Sequence, residues 1–257
     1  MAKSVLVDLT RCIGCRGCQV ACKEWNERDA RKTTFNGDFT NPAKLSSDCY
    51  TNIKFVETSQ KGAVGWSFIK NQCMHCKYPA CASACPVGAL TKTPQGPVSY
   101  DFDKCIGCRY CMLACPFNIP KYEWSSTFPA VQKCTFCAER ISDDMLPSCV
   151  KTCPTDAMYF DDYDKVVAEA KMRVGNEPNK YVNHIYGLDE AGGTNWLYIS
   201  DISFDTLGFK KGIPNESLPD YTWSVLSGIP GKVVGIVAVL SAVAYLRGRG
   251  AREEGKE

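Results

Sequence analysis

Histidine is scarce in this chain of 257 residues, which contains only His75 and His184. The two are isolated from each other, and His75 lies inside a cysteine loop, where it is expected to pack or to form hydrogen bonds rather than to catalyse. Zinc sites of the mixed type combine histidine with paired cysteines, and this composition offers little for them. A covalently attached haem is also excluded, because the C-x2-C-H motif needs histidine where Cys76 is followed by Lys77.

The N-terminal segment lacks a long apolar run. Cys12 follows Met1 too closely for the apolar part of a secretory signal peptide, so no signal peptide is expected on this chain. A disulfide framework usually goes with an oxidising compartment and is therefore the weaker interpretation of the cysteines. The formal net charge is only +2, and no basic stripe with interleaved aromatic residues indicates binding to nucleic acid.

Cysteine, in contrast, is abundant, and sixteen of the seventeen form four groups of four: Cys12, Cys15, Cys18 and Cys22; Cys73, Cys76, Cys81 and Cys85; Cys105, Cys108, Cys111 and Cys115; Cys134, Cys137, Cys149 and Cys153. Groups one and three read C-x2-C-x2-C-x3-C, and proline follows groups two, three and four. In this ferredoxin run three cysteines bind one [4Fe–4S] cluster and the fourth binds its neighbour. The pattern predicts four [4Fe–4S] clusters with these sixteen cysteines as iron ligands.

The spacing suits a cuboidal cluster, which needs four thiolates converging from tetrahedral directions. Small residues inside the loops, such as Gly14, Gly17 and Gly107, let the backbone approach the cluster closely. Structural zinc is the alternative for part of the cysteines, but it needs neither the third cysteine of the run nor the Cys-Pro step. Cys49 lies outside all four groups, and we expect a small buried thiol without a redox role.

Cluster binding would change the charge of the chain. Sixteen thiolates and four oxidised cores of about +2 each turn the formal charge of +2 into about −6. Basic residues beside the ligands are predicted to offset this charge and to raise the cluster potentials, although ordinary surface lysines also fall near motifs of this length. These residues are Arg11, Arg16, Lys23, Lys77, Lys104, Arg109, Lys133, Arg140 and Lys151.

The chain contains an internal repeat, since residues 12–22 and 105–115 are identical at eight of eleven positions. The repeat indicates duplication of a ferredoxin-like unit. Groups two and three are separated by 19 residues, and groups three and four by 18. Because these separations are nearly equal, spacing alone leaves open which groups form a ferredoxin pair.

Residues 23–72 form an insertion between groups one and two. Its polar first part predicts a loop, and β-prone residues over Thr51–Glu57 and Val64–Lys70 predict a hairpin with its turn at 59–62. Downstream, Asp161 or Asp162 is expected to cap a helix that stops at Gly175. The further elements are a helix over 163–174, a strand over Trp196–Ser200 and an extended connection over 201–220.

The C-terminal segment is apolar. Residues 233–246 carry no charge, and the eighteen residues 229–246 make about 27 Å of helix against a hydrocarbon core of ~30 Å. A buried core helix is the alternative, but flanking aromatic and basic residues favour a single transmembrane helix over 229–246. By the positive-inside rule, the tail over 247–257 is predicted to be cytoplasmic. The cluster-bearing part would then lie on the outer (periplasmic) side of the cytoplasmic membrane.

Group four is stretched to C-x2-C-x11-C-x3-C-P. With the other three groups it resembles the electron-transfer subunits of the molybdopterin oxidoreductases, above all the β subunit of membrane-bound formate dehydrogenase N. The likeness covers nearly the whole chain, although the tail is short. It rests on residues 12–26, 41–46, 73–76, 105–120, 133–137, 149–157 and 192–194.

This resemblance implies an α+β, loop-rich fold of two ferredoxin-like modules followed by the transmembrane helix. The outer module would comprise 1–72 and 121–200, including the insertion and the helix. The inner module would comprise 73–120, and 201–228 would be a linker.

The resemblance also implies that groups one and four pair, that groups two and three pair, and that each pair exchanges its fourth cysteines. The implied ligand sets are Cys12, Cys15, Cys18 and Cys153 (set A); Cys134, Cys137, Cys149 and Cys22 (set B); Cys73, Cys76, Cys81 and Cys115 (set C); and Cys105, Cys108, Cys111 and Cys85 (set D).

The implied partners are a catalytic subunit with a molybdenum or tungsten pterin, which oxidises formate, and a membrane cytochrome b or other quinone-reactive subunit in the lipid bilayer. Such a chain serves anaerobic respiration and has no catalytic site of its own. One alternative is the same role in a hydrogenase, polysulfide reductase or dimethyl sulfoxide reductase complex. Another is a free membrane-anchored ferredoxin that serves several enzymes.

Overall fold

The computed structural model describes residues 1–254 apart from 31, 36, 61 and 62, and their side chains apart from those at 60, 63, 224, 246 and 248–254. The chain forms two units, Met1–Leu218 and Pro219–Glu257. Both implied ferredoxin-like modules lie within the first unit, together with the first part of the implied linker.

The first unit combines short helices with small sheets, as the predicted α+β class requires. Its strands are β1 (Lys3–Asp8), β2 (Asn52–Gln60), β3 (Ala63–Asn71), β4 (Leu90–Lys92), β5 (Val98–Tyr100), β6 (Lys121–Tyr122), β7 (Val131–Gln132), β8 (Met158–Asp162) and β9 (Trp196–Ile199). Its helices are α1 (Gly17–Trp25), α2 (Ala80–Ser83), α3 (Tyr110–Ala114), α4 (Ala138–Ser142), α5 (Ser148–Lys151) and α6 (Tyr163–Asn176).

Strand β1 is the centre of a three-stranded sheet, antiparallel to β8 and parallel to β9. Because successive side chains of a strand point to opposite faces, β1 joins two cores. Leu6 packs with Val166 and Ala170 of α6. Val5 and Val7 belong to the other core, which contains cysteines of groups one and four. The sheet therefore supports the cysteine-bearing loops on one face and is covered by α6 on the other.

Three two-stranded sheets connect the cysteine groups in turn: β2–β3 between groups one and two, β4–β5 between two and three, and β6–β7 between three and four. In β4–β5, Leu90 pairs with Tyr100, so the end of group two and the start of group three lie at the same end of the hairpin. In the larger sheet Val7 pairs with Met158, which brings the start of group one to the end of group four.

The local elements predicted from sequence are confirmed with small shifts. The predicted hairpin is β2–β3, whose strands are longer than expected, and residues 61 and 62 of its turn lie outside the described residues. The predicted helix is α6, which begins after Asp162 and runs past Gly175 to Asn176, a shift typical of helix ends. The predicted strand at Trp196 is β9.

The connection predicted over 201–220 is only partly extended. It folds into a turn over residues 204–208, and Phe204 and Leu207 are buried in the same core as Tyr198. Apolar burial stabilises each such side chain by roughly 1.5–3 kcal/mol, which explains why this segment belongs to the first unit.

The second unit consists of α7 (Asp220–Leu226) and α8 (Ile229–Glu254). Helix α8 covers the predicted transmembrane segment 229–246, but the prediction of a membrane span is not supported. In the part of the chain that the structure describes, no helix is both long enough and apolar enough to cross a membrane. The uncharged run 233–246 corresponds to only about 21 Å of helix, against a core of ~30 Å.

Candidate metal centres

Three small cavities in the first unit are each lined by four cysteines. The cysteines around them are Cys12, Cys15, Cys18 and Cys153 in the first cavity, Cys22, Cys134, Cys137 and Cys149 in the second, and Cys85, Cys105, Cys108 and Cys111 in the third. Each cavity combines three cysteines of one group with one of another. These are the ligand sets A, B and D, and we name the three places site A, site B and site D.

The remaining four predicted ligands also lie together. Burial, followed by the neighbouring thiols of Cys73, Cys115 and Cys81, raises the pKa of Cys76 well above its usual value. An electrostatic effect of this kind requires thiols at short range. These four residues are set C, and we name their place site C.

Helix packing explains why these groups meet. Helix α1, in group one, packs against α5, in group four, while α2 and α3 of groups two and three pack against each other. Group one therefore lies beside group four and group two beside group three, which spacing alone left open.

The sequence repeat is also a repeat of backbone conformation. Gly14 and Gly107 have φ of +68° and +69°, and Arg16 and Arg109 have φ of 60° and 64° just before α1 and α3. A Cβ atom on Gly14 would lie 2.7 Å from a ring carbon of Phe68. Glycine is therefore required there both by the left-handed conformation and by the close approach of the hairpin.

Backbone N–H groups point at several of the sulfurs. Such hydrogen bonds favour the thiolate form of a cysteine and orient it. The donor–acceptor pairs are Ala89 N to Cys85 Sγ at 3.2 Å, Phe136 N to Cys134 Sγ at 3.3 Å, His75 N to Cys73 Sγ at 3.5 Å and Ile119 N to Cys115 Sγ at 3.5 Å.

The donor sets fit the predicted clusters chemically. Burial raises the pKa of Cys18, Cys81 and Cys134 to about 12 each, so these thiols are protonated at neutral pH unless a metal replaces the proton. Four thiols around one cavity match the four corners of a [4Fe–4S] core. Among the described residues, no three His, Cys, Asp or Glu side chains are placed to hold a single metal ion.

The basic residues predicted to offset the cluster charge mostly have other partners. Lys104 pairs with Asp101 at 2.8 Å. The Arg140 guanidinium lies 4.5 Å from the centre of the Trp25 ring, and buried Lys133 donates a hydrogen bond to the carbonyl of Cys134 at 3.1 Å.

Sequence reasoning missed Lys70, which lines both site A and site B. A signal was available, because alternation along β3 places Lys70 on the same face as Phe68, and Phe68 contacts the group-one loop at Gly14.

The two histidines have structural roles. His75 is fully buried, and its Nδ1 accepts a hydrogen bond from the backbone N of Val98 at 2.9 Å. His184 Nε2 lies 2.8 Å from a carboxylate oxygen of Glu190. Cys49 is buried, as predicted, and its thiol donates to the carbonyl of Thr51 at 3.2 Å.

We expect Cys49→Ser to leave iron content and the cluster spectra unchanged, because Cys49 lines none of sites A, B and D and a serine hydroxyl can donate to the same carbonyl. Iron and sulfide analysis with electron paramagnetic resonance (EPR) of the reduced protein measures this. Loss of any cluster signal would show that the ligand sets have been assigned wrongly.

Comparison with known proteins identifies the family. Residues 64–163 match the 4Fe-4S dicluster domain, and residues 9–25 match a 4Fe-4S binding domain.

Three relatives illustrate the similarity. The nitrate-inducible formate dehydrogenase iron-sulfur subunit of Escherichia coli (strain K12) is 36% identical over 245 residues, which are 93% of this chain and 82% of that protein. Hydrogenase-2 operon protein HybA of Escherichia coli O157:H7 is 38% identical over 240 residues, covering 80% of this chain and 72% of that protein. A protein of Nitratidesulfovibrio vulgaris is 42% identical over 94% of this chain, which spans only 65% of that longer relative. This likeness along most of the chain shows that the protein belongs to the family of the formate dehydrogenase iron–sulfur subunits.

Proposed function

We propose that this chain carries electrons through four [4Fe–4S] clusters between two partners. One partner is a catalytic subunit whose molybdenum or tungsten pterin oxidises formate, and the other is a quinone-linked membrane cytochrome b subunit. Family membership gives the coarser role, an iron–sulfur electron-transfer subunit of complexes of the formate dehydrogenase and hydrogenase type. The observation that carries the finer proposal is the continuous row in which the four cysteine sets lie.

Shared cores link the sites one after another. Cys18 of site A and Cys149 of site B lie in one core. A second core joins Cys22 and Cys134 of site B to Cys73 of site C, and a third joins Cys81 of site C to Cys111 of site D. The cores that join B to C and C to D support the order A–B–C–D, and Cys76 of site C also packs against the first core.

The two ends of the row reach the surface. Cys15 of site A is exposed, Cys105 and Cys108 of site D are partly exposed, and all four cysteines of site B are buried. Apolar side chains stand out from both terminal loops, with Ile13 at 57% and Ile106 at 65% exposure. Apolar surface of this kind is typical of places that partners cover, so we assign one partner to each end.

When bound, each cluster supplies a centre that gains and loses one electron. The chain holds the four centres in sequence by its cysteines, orients the sulfurs by backbone N–H groups and excludes water from site B, whose four cysteines are all buried. We assign the membrane contact to the cytochrome b partner, and the location of the cluster-bearing unit on the outer face of the cytoplasmic membrane stays an untested prediction.

A hydrogenase complex is the second candidate, and the similarity to the hydrogenase-2 operon protein favours it. The two candidate functions, in a formate dehydrogenase and in a hydrogenase complex, differ in the molecule that reduces the clusters. Formate added to the complex purified in mild detergent should reduce them, as seen by EPR, and hydrogen should not. Reduction by hydrogen alone, with a hydrogenase subunit as the copurifying partner, would replace the first proposal by the second.

Metal analysis tests the cluster count. We expect about sixteen iron and sixteen sulfide per chain after anaerobic purification, because four complete ligand sets bind four iron each. The measurement is iron and acid-labile sulfide against quantitative amino-acid analysis. About twelve or about eight iron per chain, with no gain on reconstitution, would contradict four clusters.

A further inference from the structure

Lys70 lies between two of the cluster sites. It is on β3, only 3% exposed, and its side chain lines site A beside Cys18 and site B beside Cys149. Among the described residues, neither the other buried lysine, Lys133, nor the partly buried Lys92 lines either cavity. One ammonium group is thus enclosed between the first two members of the row.

Neutral groups hold this ammonium in place. Nζ donates to Thr51 Oγ1 at 3.1 Å and to Gln72 Oε1 at 3.0 Å, and it lies 4.5 Å from the centre of the Trp196 ring. Within the described residues no carboxylate pairs with it. A buried charge without a counter-charge costs several kcal/mol, so the negative charge that balances Lys70 must come from the cysteine sites themselves.

The thiolates supply that charge. Cys18 and Cys149 line the two cavities that the Lys70 side chain also lines. Four thiolates around an oxidised core of about +2 leave about −2 at each loaded site. Lys70 therefore faces negative charge on two sides.

We propose that Lys70 is the shared counter-charge of sites A and B, and that it raises the reduction potentials of both clusters together. An electron added to either site makes the charge of that site one unit more negative. No bond changes in this step, and no proton moves at Lys70. A nearby cation stabilises that added charge. Because one ammonium acts on both sites, the two potentials move in the same direction, and the difference between them changes little.

Site C has its own cations, which makes the effect of Lys70 separable. Lys92 Nζ donates to the carbonyl of His75 at 3.0 Å and to Asn195 Oδ1 at 2.7 Å. These contacts place Lys92 on the group-two loop, away from the cavities that Lys70 lines. Clusters C and D therefore serve as internal references.

The test is potentiometric titration of the full chain in its complex, followed by EPR, with Lys70→Met as the variant. The midpoint potentials of clusters A and B should both fall, and those of C and D should stay as in the wild type. Lys70→Arg keeps the charge and should stay close to the wild type. The matched control is Lys54→Met, since Lys54 is half-buried on β2, opposite Ile69, and lines neither cavity.

The results separate this inference from the proposed function on which it rests. Unchanged potentials of A and B, or a fall of only one, would overturn the shared counter-charge. Loss of both clusters in Lys70→Met and in Lys70→Gln, with iron retained in Lys70→Arg, would also overturn it, because the charge would then serve cluster retention. The proposed function fails independently if formate does not reduce the wild-type clusters while their potentials still respond to Lys70.

Discussion

Cys153→Ser should remove or alter the cluster of Cys12, Cys15 and Cys18, which lie at least 135 residues away in the sequence. Cys153 shares a cavity with these three cysteines, whereas its own group lines a different cavity. A serine oxygen is a harder and poorer ligand for a cluster iron than a thiolate. We expect iron to fall from about sixteen toward about twelve per chain, with loss of the site A signal in EPR.

The reciprocal variant is Cys22→Ser. Cys22 belongs to group one by sequence but lines the cavity of Cys134, Cys137 and Cys149, so it should affect site B. Both variants should slow electron transfer from formate to quinone by orders of magnitude, because each interrupts the row, while Cys49→Ser serves as the cysteine control. A change confined to site B in Cys153→Ser, or to site A in Cys22→Ser, would disprove the exchanged pairing.

Asp8→Ala should destabilise the first unit by about 3–5 kcal/mol, the usual cost of breaking a buried ion pair from one side. Asp8 is fully buried at the end of β1. Its carboxylate accepts hydrogen bonds from Tyr181 Oη at 2.9 Å, from Arg173 Nη1 at 3.3 Å and from the backbone N of Thr10 at 3.0 Å. Removing it leaves the largely buried guanidinium of Arg173 without this partner.

The midpoint of denaturant unfolding, followed anaerobically by loss of cluster absorbance, measures this cost. Asp205→Ala is the matched control, because Asp205 pairs with Lys211 at 3.4 Å on the surface, where such a pair contributes about 0–1 kcal/mol. Asp8→Asn keeps a hydrogen-bond acceptor for Tyr181 and should therefore lower the free energy of unfolding by less than Asp8→Ala does. An equal loss of unfolding free energy in Asp8→Ala and Asp205→Ala would show that the buried hydrogen bonds of Asp8 contribute little to stability.

The chemistry of the sites and the local elements follow from short stretches of sequence. Ligand type and spacing within one loop are local properties, so the four groups predicted iron–sulfur sites directly. The repeat of 12–22 in 105–115 predicted two similar loops, and Gly14 and Gly107 share one conformation. Two β-prone segments around a turn likewise predicted the hairpin, since strand propensity is a property of a few neighbouring residues.

Long-range pairing had no such signal. The strands β1 and β8 are short and far apart in the chain, and neither was predicted. Their antiparallel register, with Val7 opposite Met158, is what brings Cys12 to Cys153. The family resemblance implied this pairing of the cysteine groups. The sequence separations between the groups are nearly equal and therefore could not have predicted it.

Tertiary structure alone decided where charge and apolar surface lie. Lys70 comes three residues before Cys73 in the sequence, yet it faces Cys18 and Cys149 across two cavities, because the hairpin folds over the group-one loop. The C-terminal apolar run predicted a membrane span that the described helix does not support. The identity of the cluster ligands follows from residues that are close together in the sequence. The side chains that surround a buried charge, in contrast, depend on how the whole chain packs.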